Sequence, residues 1–483
     1  MHGLEEFKDK PGEPDLHPNV SWFRLLNSYH WFVLIVAALG WLFDTMDQQL
    51  FNLARKPAMR ELLTVVETVD GAAVKKPPSD ADINFWAGVT TCIFMMGWAS
   101  GGLVFGVLGD RWGRAKVMLW TILIYSFCTG LSALSTSVWD FAFYRFLTGL
   151  GVGGEFAVGI SLVAEVMPAK ARPFALGLLQ ALSTVGNISA AFINIGLGVV
   201  EGQGGLEDLK FNGVPVTAWR IMFVIGTLPA LLAILIRSRL KEPETWKAVA
   251  ASDAAGKQLG SYGELLGDPR WRRNAIAGLL MGFAGVVGLW GIGFFVFDLF
   301  SDVLRKHFTA QGLTGAELNS KVALWVGLCS VLMNTGAFFG IYGFSYLSHY
   351  AGRKVSFAIA FVAAMLSTAL VFSQLDTFGD LWMVPLMGFC QLALFGGYAI
   401  YFPELFPTRL RSTGTSFCYN VGRFIAAAGP LTLGGLTKYV FNEANGFGHE
   451  GLRWAGVTMC SVFIVGLLAL PFAPETKGKP LPE

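Results

Sequence analysis

The chain has 483 residues, of which 53% are hydrophobic and 14% charged, with a formal net charge of +2. A soluble globular chain carries about 25% charged residues, so composition excludes an ordinary soluble domain. The near-neutral balance gives no footing for a nucleic-acid partner.

A membrane-spanning helix needs about 20 mostly apolar residues. Twelve stretches qualify: 31–53, 84–108, 116–135, 139–165, 173–200, 219–237, 274–299, 322–347, 354–373, 381–402, 412–437 and 453–472. A polar segment, 1–30, precedes the first, with no evident cleavable signal, so the first span is expected to act as an uncleaved anchor. That span carries Asp44 and Asp47, three apart and therefore on one helical face. Ionisable groups within a membrane are expensive and mark function by default. The 54–83 connection mixes basic and acidic residues, and helix parity puts it outside.

Between the second and third spans runs Gly106-Val107-Leu108-Gly109-Asp110-Arg111-Trp112-Gly113-Arg114-Ala115-Lys116. Gly113 permits the turn, Asp110 can cap or pair at a helix end, and Arg111 and Arg114 can reach carbonyls and acids on neighbouring helices. The run reads either as a topology signal or as a latch. The fourth span holds Arg145, then Gly149, Gly151, Gly153 and Gly154, then Glu155. Glu155 follows Arg145 by ten residues, about 15 Å along a helix axis. The glycines suit close helix packing. Glu155 reads as a proton site, a substrate contact or a structural group. The span ends at Glu165, with Arg172 shortly after.

In the fifth span Gln180 and Asn187 are seven apart and share a face, as cavity lining would. The polar stretch 238–273 divides the chain into 31–237 and 274–472. Asp298 falls near the end of the seventh span, where an interfacial place is expected. Ser345 to Lys354 is a decayed echo of the earlier run, with Gly352-Arg353-Lys354 retained and His349-Tyr350 in place of Asp110-Arg111. The tenth span holds Tyr398 and Tyr401 and ends at Glu404, with Arg411 beyond. The eleventh holds Tyr419, Asn420 and Arg423. A guanidinium at the depth of Arg423 requires an anion, either an internal acid or a substrate carboxylate held bidentately. The tail is 473–483. Connections at 109–115, 166–172, 238–273, 348–353 and 403–411 are rich in Lys and Arg, which puts both termini in the cytoplasm. The six cysteines lie in apolar stretches without CxxC spacing and read as small core residues.

In this order, the Gly106–Lys116 run, the Glu165/Arg172 and Glu404/Arg411 ends, Leu240-Lys241-Glu242-Pro243-Glu244-Thr245-Trp246 and Pro474-Glu475-Thr476-Lys477-Gly478 resemble the signatures of the major facilitator superfamily. The likeness is to the metabolite:proton symporter and organic-acid branch near the sugar porters. It implies an all-α membrane protein of twelve transmembrane helices in two six-helix halves, which rock around a site at the midplane. Asp47 and Arg145 match the proton-coupling pair of sugar porters, with Asp44 and Glu155 beside them; a static ion pair is the alternative. Gln180, Asn187, Arg423, Asn420, Tyr419 and Tyr398 become candidate substrate contacts. Asp110, Arg111, Arg114, Glu165, Arg172, Glu404 and Arg411 become the cytoplasmic gate.

The seventh span departs from the sugar porters, with Met281–Val287 where they carry Gln-Gln and Asn. In the tenth span Ala399 replaces their Trp. Unpaired sugar hydroxyls are strongly disfavoured, so the expected substrate is a small carboxylate, carried by proton symport; the alternative is a sugar or polyol transporter. There is no nucleophile–base pair, metal cluster or nucleotide motif, so neither an enzyme, a cofactor nor a metal is expected. The chain is expected to work as a monomer in a bacterial inner membrane, with a small molecule and protons as partners.

Overall fold

The computed structural model describes residues 21–482 apart from 70–71, 203–204, 207–208, 212–213, 252–258, 427–428, 442–444 and 448–449. Most of the N-terminal segment 1–30 therefore lies outside the described residues. The helices in chain order are α1 (Ser28–Leu62), α2 (Asp80–Trp112), α3 (Arg114–Ala133), α4 (Val138–Val166), α5 (Arg172–Gly202), α6 (Ala218–Ile225), α7 (Ala230–Arg239), α8 (Glu244–Ala251) and α9 (Tyr262–Gly267). They continue with α10 (Pro269–Val286), α11 (Val296–Ala310), α12 (Gly315–Ala351), α13 (Arg353–Gln374), α14 (Met383–Glu404), α15 (Arg411–Ala426), α16 (Gly429–Gly435), α17 (Gly451–Met459) and α18 (Val462–Ala469).

Among the described residues, 11 helices are long and apolar enough to cross a membrane. The remaining expected span, 412–437, is divided between α15 and α16, and 427–428 lie outside the described residues. The fold is thus an all-α membrane bundle. Two small antiparallel hairpins, which the sequence did not announce, sit in connections: β1 (Val65–Val69) with β2 (Ala72–Lys76), and β3 (Lys210–Phe211) with β4 (Val214–Pro215).

Several boundaries move from their expected places. α1 begins earlier because the Asn27 side chain accepts from the His30 N–H, while His30 Nδ1 accepts from the Asn27 N–H. It runs on to Leu62 because Ala54, Ala58 and Met59 continue its buried face. The sixth span is two helices with a turn at Gly226–Pro229, since proline cannot supply the helical N–H. The seventh continues past 299 through a π-helical turn, Val287–Ile292, and a 3-10 turn, Gly293–Phe295, into α11.

α2 packs on α4, and α1 on α5; α12 packs on α14, and α14 on α13. The glycines explain how closely. A Cβ on Gly149 would overlap the Phe94 carbonyl oxygen, and one on Gly153 the Trp98 carbonyl oxygen. Gly336 and Gly340 face the backbone of Pro385 and Phe389 in the same way. These are backbone-to-backbone seams of the small-residue type. The α1–α7 and α10–α18 groups meet chiefly along α2–α15 and α5–α12.

Candidate functional site

Where the two groups meet, an aromatic column crosses the bundle. Trp41 of α1 packs on Phe156 of α4, centroids 4.3 Å apart, and Phe156 packs on Tyr419 of α15 at 4.3 Å. Arg423, one turn beyond Tyr419, lies between two rings. Its guanidinium carbon is 3.8 Å from the Trp98 centroid and 4.6 Å from that of Tyr419. Trp98 in turn meets Trp290 of the π-helical turn, edge to face at 6.1 Å. Arg423 is 3% exposed and makes no salt bridge with a carboxylate among the described residues. Ring faces attract a cation, yet the Arg423 Nε–H is left without an acceptor. Arg423 Nε, Trp41 Nε1, Trp98 Nε1, Asn420 Oδ1 and Gln180 Oε1 are all buried without a partner. Buried polar atoms without partners are unusual in a settled core, and those beside Arg423 suit a site that takes a polar guest.

The other expected contacts are placed differently. Asn187 donates to Asn334 of α12 at 2.9 Å and so ties α5 to α12. Asn420 donates to the Ser416 carbonyl and hydroxyl oxygens. The Tyr398 hydroxyl donates to the Met281 carbonyl at 2.7 Å, and its ring stacks on Phe402 and Phe357. Tyr398 is thereby a packing group rather than an open contact. Tyr401 likewise donates to Pro474.

Four charged residues of α1 and α4, Asp44, Asp47, Arg145 and Glu155, are each at most 1% exposed. Arg145 Nη1 is 3.6 Å from Asp47 Oδ2, while its Nε and Nη2 donate to the Ser132 hydroxyl at 3.0 and 2.8 Å. Rings of Phe223, Phe51 and Phe141 surround the guanidinium. The ion pair is longer than a hydrogen bond and both Asp47 oxygens lack a donor, so the pair is in contact without being locked. Asp44 and Glu155 lie against each other beside Tyr125.

At the end of the bundle that carries the Gly106–Lys116 run, charges knit the two groups together. Asp110 accepts from the Ser412 N–H at 3.1 Å, the Thr413 N–H at 2.8 Å and the Thr413 hydroxyl at 2.6 Å. It therefore caps α15 from α2, where the positive end of the helix dipole favours an anion. Arg114 pairs with Asp110 at 2.9 Å and Glu165 at 3.0 Å, and donates to the Thr408 carbonyl at 2.7 Å. Arg411 also pairs with Glu165, at 2.8 Å. The Glu-then-Arg ends are thus not closed upon themselves. Glu165 takes the arginine of the other group, Glu404 takes Arg353 with bonds of 3.0 and 2.8 Å, and Arg172 donates to Ala164. Arg111 donates to the Leu259 carbonyl at 3.0 Å.

Further partners escaped the sequence reading. Glu242 accepts from the Ala115 and Lys116 N–H groups, at 3.2 and 3.1 Å. Glu475 accepts from Arg353, Lys354, Thr476 and Lys477 N–H groups, at 2.9–3.0 Å. Burial of Glu475 opposes its ionisation, but these N–H groups hold its carboxyl below the usual range. Arg409 pairs with Glu264 of α9, the Gly260 N–H donates to the Arg409 carbonyl, and the Tyr262 hydroxyl donates to Leu103. Burial and the Asp110 charge push the Tyr262 hydroxyl up. Glu242 and Glu475 stood in the motifs; Trp98 had no signal, since nothing in an apolar span marks which face turns inward. Toward the other end, Arg55 donates to Thr91 at 2.8 Å, and Asp298, expected at an interface, is exposed near Lys56 and Arg55.

The family described as Major Facilitator Superfamily matches residues 37–430. A Haemophilus influenzae protein with the provisional description of metabolite transport protein is 28% identical over 94% of this chain and 99% of its own. The cis,cis-muconate transport protein of Acinetobacter baylyi is 27% identical over 82% of this chain and 86% of its own. Among solved structures, the proton:xylose symporter XylE bound to 6-bromo-6-deoxy-D-glucose superposes with a TM-score of 0.70 at 17% identity, over 94% of this chain and 98% of that one. At that identity the likeness concerns the fold.

Proposed function

Because the chain belongs to the Major Facilitator Superfamily, we propose that it carries a small organic acid across the membrane by alternating access, in symport with protons. It is a multi-pass membrane transporter with the superfamily's twelve-span fold, and not an enzyme. The observation that carries the substrate reading is Arg423: a buried guanidinium on two ring faces, without a carboxylate, among orphaned donors at the seam of the two groups. A substrate carboxylate satisfies it bidentately. The muconate transport protein among the relatives handles such an acid by name.

In this reading 31–237 and 274–472 are the two halves, 238–273 is the cytoplasmic linker, and both termini face the cytoplasm of a bacterial inner membrane. The monomer is the working unit. Asp110, Arg111, Arg114, Glu165, Arg172, Glu404 and Arg411 form the cytoplasmic gate, a role that the ion pairs among them support. Asp47 and Arg145 form the coupling pair: proton binding to Asp47 releases Arg145, and the loose 3.6 Å contact supports that role. Gln180 and Asn420 orient the neutral part of the substrate. The free Gln180 oxygen is also what favours the second reading, a sugar or polyol held by neutral hydrogen bonds.

The deciding experiment uses purified protein in proteoliposomes under an imposed pH gradient, with labelled carboxylates and sugars offered in parallel. Uptake of a carboxylate that rises with the gradient supports the reading. Uptake of sugars alone, or gradient-independent uptake, overturns it.

A further inference from the structure

α1 and α4 bury three acids but bring only one cation to them. Asp44, Asp47 and Glu155 are 1%, 0% and 1% exposed, and Arg145 acts on Asp47. All four carboxyl oxygens of Asp44 and Glu155 are buried without a hydrogen-bond donor, and the Tyr125 hydroxyl beside Asp44 is likewise without a partner. The two carboxyls lie within hydrogen-bonding reach of each other. Two carboxylates offer only acceptors to one another, so a bond between them needs a proton in the middle. Leaving two uncompensated charges in the bundle interior is strongly unfavourable.

The fold makes room for this meeting. Gly40 sits one turn before Asp44, and a Cβ there would overlap Glu155 Oε1. The glutamate carboxyl thus occupies the space of a missing side chain and is held toward α1.

The charged and titratable surroundings are few. Asp47 of α1 and Tyr125 of α3 face the pair. On α4, Arg145 is directed to Asp47 and Ser132. The ionisable groups of α5 and α6 are engaged elsewhere: Arg172 with Ala164, Glu201 with the Ala218 N–H, and Arg220 with Glu61. On α15, Arg423 lies on the Trp98 and Tyr419 rings. On α2, Asp110 and Arg111 are bound at the closed end.

We propose that Asp44 and Glu155 form a second proton-binding site, separate from the Asp47–Arg145 pair, in which one proton is shared between the two carboxyls and exchanged in each transport cycle. The step is a simple association: a proton from water adds to one carboxylate oxygen, and the resulting O–H donates to the other carboxylate. Opening of the halves admits water and returns the proton. The transport role rests on the proton-coupled reading above; the protonation itself does not.

The test is infrared spectroscopy of the purified full chain in nanodiscs at neutral pH, with hydrogen–deuterium exchange to mark protonated carboxyls. No substrate is needed. Wild type is expected to show a protonated-carboxyl band. The band shifts in Asp44→Asn and in Glu155→Gln, because each changes the partner of the proton, and it disappears in the double variant. Asp47→Asn, which changes a neighbouring charge but keeps both carboxyls of the pair, retains the band, and a folded double variant is confirmed by its thermal melt. Absence of the band in wild type, its loss in Asp47→Asn, its persistence in a folded double variant, or its appearance only after sodium is withdrawn each overturns the assignment. For the cycle, Glu155→Gln is expected to lower the proton-to-substrate ratio by one, read from the reversal potential of uptake in proteoliposomes. An unchanged ratio overturns the exchange of that proton. If the band behaves as expected while uptake is independent of pH gradient, the pair stands and the symport reading falls.

Discussion

Arg423 is the side chain on which the substrate reading turns. Removing one partner of a buried charged contact is worth about 2–5 kcal/mol, so Arg423→Gln should weaken carboxylate binding at least ~30-fold. An amide analogue of the substrate should lose most of its affinity for wild type but little for the variant. Scintillation proximity binding with both ligands measures this, and equal losses for the two would return Arg423 to a structural role. Asp47 is tested by separating accumulation from exchange. Asp47→Asn should abolish uphill accumulation yet spare exchange of substrate across the membrane, because exchange moves no net proton. Undiminished accumulation in that variant would remove Asp47 from the coupling step.

At the level of elements, the cap of α15 by Asp110 is a latch between helices of different groups. Asp110→Asn weakens the acceptor at the positive end of α15, and Arg114→Ala removes the bridge to Glu165 and Thr408. Either change should speed labelling of a cysteine placed at the buried Thr415 by a membrane-impermeant thiol reagent added on the side that carries the Gly106–Lys116 run. Unchanged labelling would leave the run as a topology signal. The α2–α4 seam predicts differently. Gly153→Leu forces a side chain onto the Trp98 carbonyl, and overpacking of this kind lowers stability by about 1–3 kcal/mol. A lowered melting temperature in detergent is expected, whereas Gly198→Leu, with open space around its Cα, should leave it unaltered.

The spans were legible as elements because hydropathy and length decide them. So was the Asp47–Arg145 meeting, because the resemblance to sugar porters pairs the two positions. The partner exchange of Glu165 and Arg411 was not legible, since it depends on how the two groups abut, which no local pattern records. Trp98 and Asn334 were missed for the same reason. The helical extension of α1 lay in a connection that hydropathy treats as a loop, and the π-helical turn after α10 lay within the expected span 274–299, where hydropathy does not distinguish one helix type from another.

For the whole molecule, the chain's last residues act at a distance in sequence. Glu475 caps α13 through the Arg353 and Lys354 N–H groups, as Glu242 caps α3. The folded Glu475 carboxyl titrates below its ordinary value. Its contribution is therefore complete above that ordinary value, about 4.3, and is lost as pH falls through the folded value. Pepsin release of the tail should increase as the medium is acidified below about pH 4. In Glu475→Gln the tail should already be released faster at the upper end of that range, with a flatter pH dependence.

α2 carries glycines on two faces, and the two seams they make differ in what water can do for them. Toward α4, Gly97 and Gly101 meet bare backbone, whose polar groups are already spent within helices. Toward α15, Gly102, Gly106 and Gly109 meet Asn420, Ser416 and Ser412, with the Ser416 hydroxyl donating to the Gly102 carbonyl. Parting the first seam exposes surface that gains nothing from hydration. Parting the second frees hydroxyls and amides that incoming water satisfies at once. The same helix is therefore a weld on one side and a wettable hinge-line on the other, and opening follows the side that solvent can reclaim. A bulky apolar residue such as Leu at Ser416 should dry that line and slow substrate exchange, measured by counterflow, while leaving the α4 seam intact.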